Sequence, residues 1–149
     1  MTDNENTNDN FDNIPNQPIF WGMSENTYCM LMNLIQVLPG WGYVLTILMW
    51  VMNKDGSPQI DKFGKNATNW IISIVIYWIT AGVINFFVFI VLAIISAIAE
   101  APLFIFTYLF SALFFTVLGA IAIVFPIIAA VKANKGVYWK YPLSIQFFK

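Results

Sequence analysis

The sequence predicts an all-α integral membrane protein with three transmembrane helices, and three observations carry that expectation. From Trp70 to Val131 the only side chain charged at neutral pH is Glu100, whereas a helix needs only about 20 apolar residues to cross a bilayer. Hydrophobic residues make up 59% of the chain and charged ones 10%, where a water-soluble domain carries about 25% charged residues. The seven cationic side chains are all lysines, and they fall in two short stretches, 54–65 and 132–149. Such an uneven placement is what orients a membrane protein.

Residues 1–23 are expected to form a disordered acidic tail. Asp3, Glu5, Asp9 and Asp12 lie among asparagines with no lysine, and such a segment buries too little apolar surface to offset the entropy of ordering. It also lacks the basic start and apolar run of a cleaved signal. Residues 24–149 then form the membrane domain. Trp21 suits an interfacial belt, and Ser24, Glu25 and Asn26 suit a helix start.

The first helix is expected over about 28–52, uncharged throughout, and kinked or broken at Pro39, where Gly40 and Gly42 follow. That break reads either as a hinge or ligand gap, or as an ordinary membrane kink, which neighbouring helices tolerate. Asn53 to Asn66 is polar, with Asp-Gly and Ser-Pro turn signals, and is expected to be an aqueous loop. Helices at about 69–99 and 103–131 form a hairpin around Glu100-Ala101-Pro102, with proline suited to a first helical turn. The tail, 132–149, mixes Tyr138, Trp139 and Tyr141 with lysines and is expected to lie on the membrane surface. Three passages would leave the N-terminus outside and the C-terminus in the cytoplasm, in a multi-pass arrangement suited to a bacterial inner membrane.

Close packing between membrane helices comes from small residues and interhelical hydrogen bonds. On the second helix Gly82, Asn85, Ala93, Ser96 and Ala97 share an arc, and on the third Ala112, Thr116, Gly119, Ala120 and Ala130 do. Folding the hairpin about residue 101 would set Gly82 level with Gly119 and Ala120, and Asn85 level with Thr116. A second polar line, Asn69, Ser73, Tyr77 and Thr80, is expected to pack on the first helix near Asn33 or to line a small polar cavity or interface.

Trp50, Lys54-Asp55, Ser57-Pro58, Asp61, Gly64-Lys65 and Asn69-Trp70, with the closing Tyr141-Pro142-Leu143, resemble a family of small membrane proteins classed as a domain of unknown function. That family is related to the twenty-kilodalton component of the chloroplast inner-envelope import apparatus, and its relatives include magnetosome membrane proteins that affect crystal growth. The resemblance covers roughly residues 24–149 and implies three or four membrane helices without an assigned enzyme activity. The sequence departs from the usual pattern at Asn33, Asn66 and Ile71, where histidine, glutamate and glutamine are common.

Acid–base or nucleophilic catalysis needs a base beside a nucleophile, and the chain has no histidine and one cysteine, Cys29. No catalytic, cofactor-binding or metal-ligating residue is expected, and Glu100 reads as a solvated turn residue. Asn66-Ala67-Thr68 matches a glycosylation pattern on the wrong side of the membrane. A net charge of −1 gives nucleic acid no reason to bind. The expected partners are lipids and other integral membrane subunits or further copies of the chain. The expected function is a structural or accessory subunit, with a translocation or conduction component as the alternative.

Overall fold

The computed structural model describes residues 22–38, 40–99 and 102–148. The acidic tail through Trp21, the break at Pro39, and Glu100 lie outside these residues. The described chain is helical, with α1 (Glu25–Leu34), a 3-10 turn (Ile35–Val37), α2 (Trp41–Asn53), α3 (Pro58–Ala99) and α4 (Phe104–Asn134). Two of these, α3 and α4, are long and apolar enough to cross a membrane. Three such helices were expected, and the difference lies in the first segment.

That segment is a hairpin of two short helices. Ser24 caps α1 by accepting a hydrogen bond from the Thr27 amide at 3.2 Å. The chain reverses after the 3-10 turn, and Gly40 occupies a left-handed corner at φ 72°. α2 then runs back along α1. The Thr46 hydroxyl reaches the Met32 carbonyl at 3.0 Å, and the Tyr28 hydroxyl donates to the Met49 carbonyl at 2.8 Å while accepting from Asn53 at 2.7 Å. Residues 28–52 therefore leave from the end at which they began.

Ser57 and Pro58 start α3 earlier than the expected residue 69. The Ser57 hydroxyl accepts from the Ile60 amide at 3.3 Å, and proline suits the first turn because its missing N–H would be unpaired there anyway. Most of the expected aqueous loop is thus helical, and only residues 54–57 connect α2 to α3. α4 returns antiparallel to α3, with Trp70 against Phe125, Trp78 against Phe115 and Phe89 against Tyr108. It continues through Pro126 to Asn134.

Two regions result. In the base, α1, α2, the first part of α3, the last part of α4 and the tail enclose the buried cluster of Tyr28, Cys29, Met32, Ile60, Phe63 and Ala133. In the arm, α3 beyond Ile79 and α4 before Leu118 pack only on each other among the described residues, and Phe86, Phe87, Phe106 and Phe110 are exposed. The start of α1, the 54–57 connection and the end of α4 all lie at the base, tied by a Gln59–Asn26 hydrogen bond of 2.6 Å and by Ala133 packing on Tyr28. Because α1 and α2 double back, the start of α1 and the end of α4 lie at the same end of the molecule, where three passages would have set them at opposite ends.

Candidate functional site

A stripe of polar side chains on α3 holds the main chain of the C-terminal tail. Asn66, Asn69, Ser73 and Tyr77 recur at helical spacing and so share one face. Asn66 donates to the Trp139 carbonyl at 2.8 Å. The Asn69 carboxamide accepts from the Phe147 and Phe148 amides at 3.0 and 2.9 Å and donates to the Phe148 carbonyl at 2.9 Å. Ser73 accepts from the Ile145 amide at 2.8 Å, and Tyr77 donates to the Leu143 carbonyl at 2.7 Å. An extended segment without a neighbouring strand must find other partners for its backbone groups. Here helix side chains do what a neighbouring strand would do in a sheet.

The tail is therefore a loop laid along α3. It climbs α3 to a turn at Pro142-Leu143, closed by the Ser144 amide donating to the Tyr141 carbonyl at 3.2 Å, and descends to Phe148, which meets Trp50 edge-on at 5.4 Å. Tyr141 anchors it at 1% exposure. Its ring stacks on Trp70 at 5.1 Å and 4°, beside Phe125 and Trp139. Its hydroxyl donates to Asn33 at 2.8 Å and lies 3.5 Å from the Gln36 amide nitrogen. Burial pushes that hydroxyl far above its ordinary range, more than the Gln36 contact lowers it. It is a neutral donor.

Of the expected polar group, Asn33, Asn69, Ser73 and Tyr77 come together around the tail, and Thr80, one turn further on, is exposed. Asn66 and Gln36 join them. Asn66 was legible only as a departure from a family pattern, because a helix begun at residue 69 leaves it in a loop. Asn66 and Thr68 are both buried, and the Asn66 carboxamide is taken up by the tail.

A family model described as the magnetosome magnetite crystal formation protein family matches residues 24–148. The chain belongs to that family. No curated protein and no solved structure matches it.

In this member of the magnetosome family the motif residues form the joints of the base. The Trp50 indole lies over Gly64, where an added Cβ would sit 2.1 Å from the ring, and donates to Asp61 at 3.0 Å. Asp61 also pairs with Lys65 at 2.7 Å. Its partial burial alone would raise the carboxyl, but the hydrogen bonds from Lys65 and Trp50 outweigh that and hold it below the ordinary value. Lys54 and Asp55 are exposed in the connection. Pro142 and Leu143 make the turn of the tail.

The expected packing arcs are placed differently. Asn85 hydrogen-bonds Ser111, five residues from the expected Thr116, whose hydroxyl instead donates to the Ala112 carbonyl of its own helix at 2.6 Å. Gly82 and Gly119 meet nothing within 4 Å of an added Cβ, Ala93 is half-buried, and Ala97, Ala112 and Ala120 are exposed. The seam of α4 runs instead through Thr107, Ser111, Phe115, Ala122 and Ala129. That is one residue, or about 100° of helix rotation, from the expected arc. Aromatic pairs such as Trp78 with Phe115 fill the arm, and the small residues that permit close approach, Ala129, Ala130 and Ala133, are buried in the base.

Proposed function

We propose that this protein is a non-enzymatic, membrane-embedded accessory subunit of the machinery that forms magnetite crystals, crossing the bilayer twice. The bare arm carries this reading. From Trp70 to Ala99 the helix is apolar over about 45 Å, against about 30 Å of hydrocarbon. Tilt alone would have to approach about 45°, beyond the usual range; a neighbouring subunit or further copy covering the arm removes the mismatch. Membrane placement itself rests on α3 and α4 and on the family. The six described lysines, Lys54, Lys62, Lys65, Lys132, Lys135 and Lys140, all lie in the part of the base away from the arm, so the positive-inside rule assigns that face and both ends to the cytoplasmic side. The turn joining α3 to α4 then faces the compartment in which the crystal grows.

The non-enzymatic reading rests on residue chemistry. The sequence contains no histidine, and Cys29 is fully buried. The alternative, a conduction path, would need Asn69, Ser73 and Tyr77 free, and each holds the tail. Deleting the gene in its host and imaging the crystals tests the proposal: altered crystal size or number with intact membrane compartments is expected. Unchanged crystals would overturn the accessory role, and solute flux through liposomes holding the purified protein would favour conduction. In a Cys29→Ser background, Asp55→Cys and Lys135→Cys should label from the face opposite to Pro102→Cys.

A further inference from the structure

The chain enters the base at Met23, and cationic side chains stand around that point. Met23 packs on the cluster that joins Tyr28, Phe63 and Ala133, with Tyr138 beside it. Lys132 and Lys135 flank Ala133 at the end of α4, and both are exposed. Lys62 sits over the Tyr138 ring at 4.8 Å, on the turn of α3 that follows Gln59, the residue that holds Asn26. The carboxylates of the described residues leave Lys132 and Lys135 unanswered. Asp61 is taken up by Lys65 at 2.7 Å, Glu25 is buried in the first turn of α1, and Asp55 follows Lys54 in the connection between α2 and α3.

Residues 1–21 lead directly to this point and carry the opposite charge. Asp3, Glu5, Asp9 and Asp12 are four carboxylates with no lysine among them. The stretch from Asp12 to Met23 can span up to about 38 Å, whereas the end of α4 packs on the same cluster as Met23. Asp9 and Asp12 therefore reach Lys132 and Lys135 with chain to spare. A tether of this kind holds the two sets of charges at an effective concentration in the millimolar range, and their attraction acts over about 10 Å in 0.1 M salt.

We propose that residues 1–21 fold back on the base as its own counterion, with Asp9 and Asp12 set against Lys132 and Lys135. An anionic partner has to displace this segment before it can use those lysines. The contact lies within one chain and needs no membrane, so it stands or falls apart from the accessory role.

Full-length protein in a neutral maltoside detergent, pulsed with an acetylating reagent and read lysine by lysine by peptide mass spectrometry, tests this. In about 0.1 M salt, Lys132 and Lys135 should react about threefold more slowly than in a chain carrying Asp3→Asn, Glu5→Gln, Asp9→Asn and Asp12→Asn, the size expected of exposed ion pairs. In about 1 M salt, where screening acts over about 3 Å, the two chains should react alike. Lys65, held by Asp61, should be the same in both throughout. A water-soluble carbodiimide, which joins carboxylates to amines in contact, should link Asp9 or Asp12 to Lys132 or Lys135 within one chain. Equal acetylation of the two chains at the lower salt, or a gap that the higher salt leaves in place, would overturn the contact. So would links found only between isotopically light and heavy copies mixed before treatment, since the acidic segment would then serve a second copy.

Discussion

The glycines of the base and those of the arm differ in what a methyl group would meet. At Gly42, beside the hairpin tip, an added Cβ would lie 2.0 Å from the Ile35 carbonyl oxygen, and at Gly64 it would lie 2.1 Å from the Trp50 ring. At Gly82 and Gly119, in the arm and at its root, it would meet nothing within 4 Å. The base is therefore held by backbone approach and by polar groups that find partners inside the chain. The arm is two helices in contact through aromatic rings and part-buried polar pairs such as Asn85 with Ser111. Small residues in a membrane helix mark close packing only where a second element is near enough to use the space.

Substitutions along the chain can break that contrast or sharpen it, and unfolding of the protein in detergent, followed by intrinsic fluorescence, measures them. Gly42→Ala should cost the most, about 3 kcal/mol, because the obstructing atom is backbone and cannot rotate away. Asn69→Leu should cost about 2 kcal/mol, since three main-chain groups of the tail lose their partner, and amide exchange at 145–148 should speed up while that of α4 stays slow. Tyr141→Phe keeps the stack on Trp70 but removes the bond to Asn33, an expected loss of about 1 kcal/mol. Asn85→Leu in the arm should cost only about 0.6 kcal/mol, a usual value for such pairs in membranes. Gly82→Ala should be neutral or should stabilise by about 0.5 kcal/mol, as a helix gains from losing an interior glycine. If Gly82→Ala proved as harmful as Gly42→Ala, the arm would be packed against something as tightly as the base is.

The long hairpin was legible in the sequence because its signal is additive: dozens of apolar residues around one lone carboxylate leave few alternatives. The register inside it was not. Composition can show that Gly82, Ala112 and Thr116 are small, but not that Phe115 stacks on Trp78 and turns the small face of α4 outward. The first segment was misjudged for a related reason. An uncharged run from Tyr28 to Met52 is long enough to cross a bilayer, and only the pairings of Tyr28 with Asn53 and of Thr46 with Met32, set by distant residues, show that it doubles back. The polar stripe was half legible. Asn69, Ser73 and Tyr77 announce themselves by spacing, but their partners are backbone atoms of an extended tail, which carry no mark in the residue types. Placing Ser57-Pro58 as the cap of α3 would have added Asn66 to the stripe.

One consequence follows from the continuity of α3. The same helix that grips the tail at Asn69 runs without a proline or a break to Ala99, so the two regions move as a single rod. From Val75 to its end that rod is about 38 Å long, and a rocking of about 10° where it meets α1 and α2 would sweep its far tip by roughly 7 Å. A tilt imposed at the base would thus reach the far end of the arm enlarged, without any rearrangement along the way.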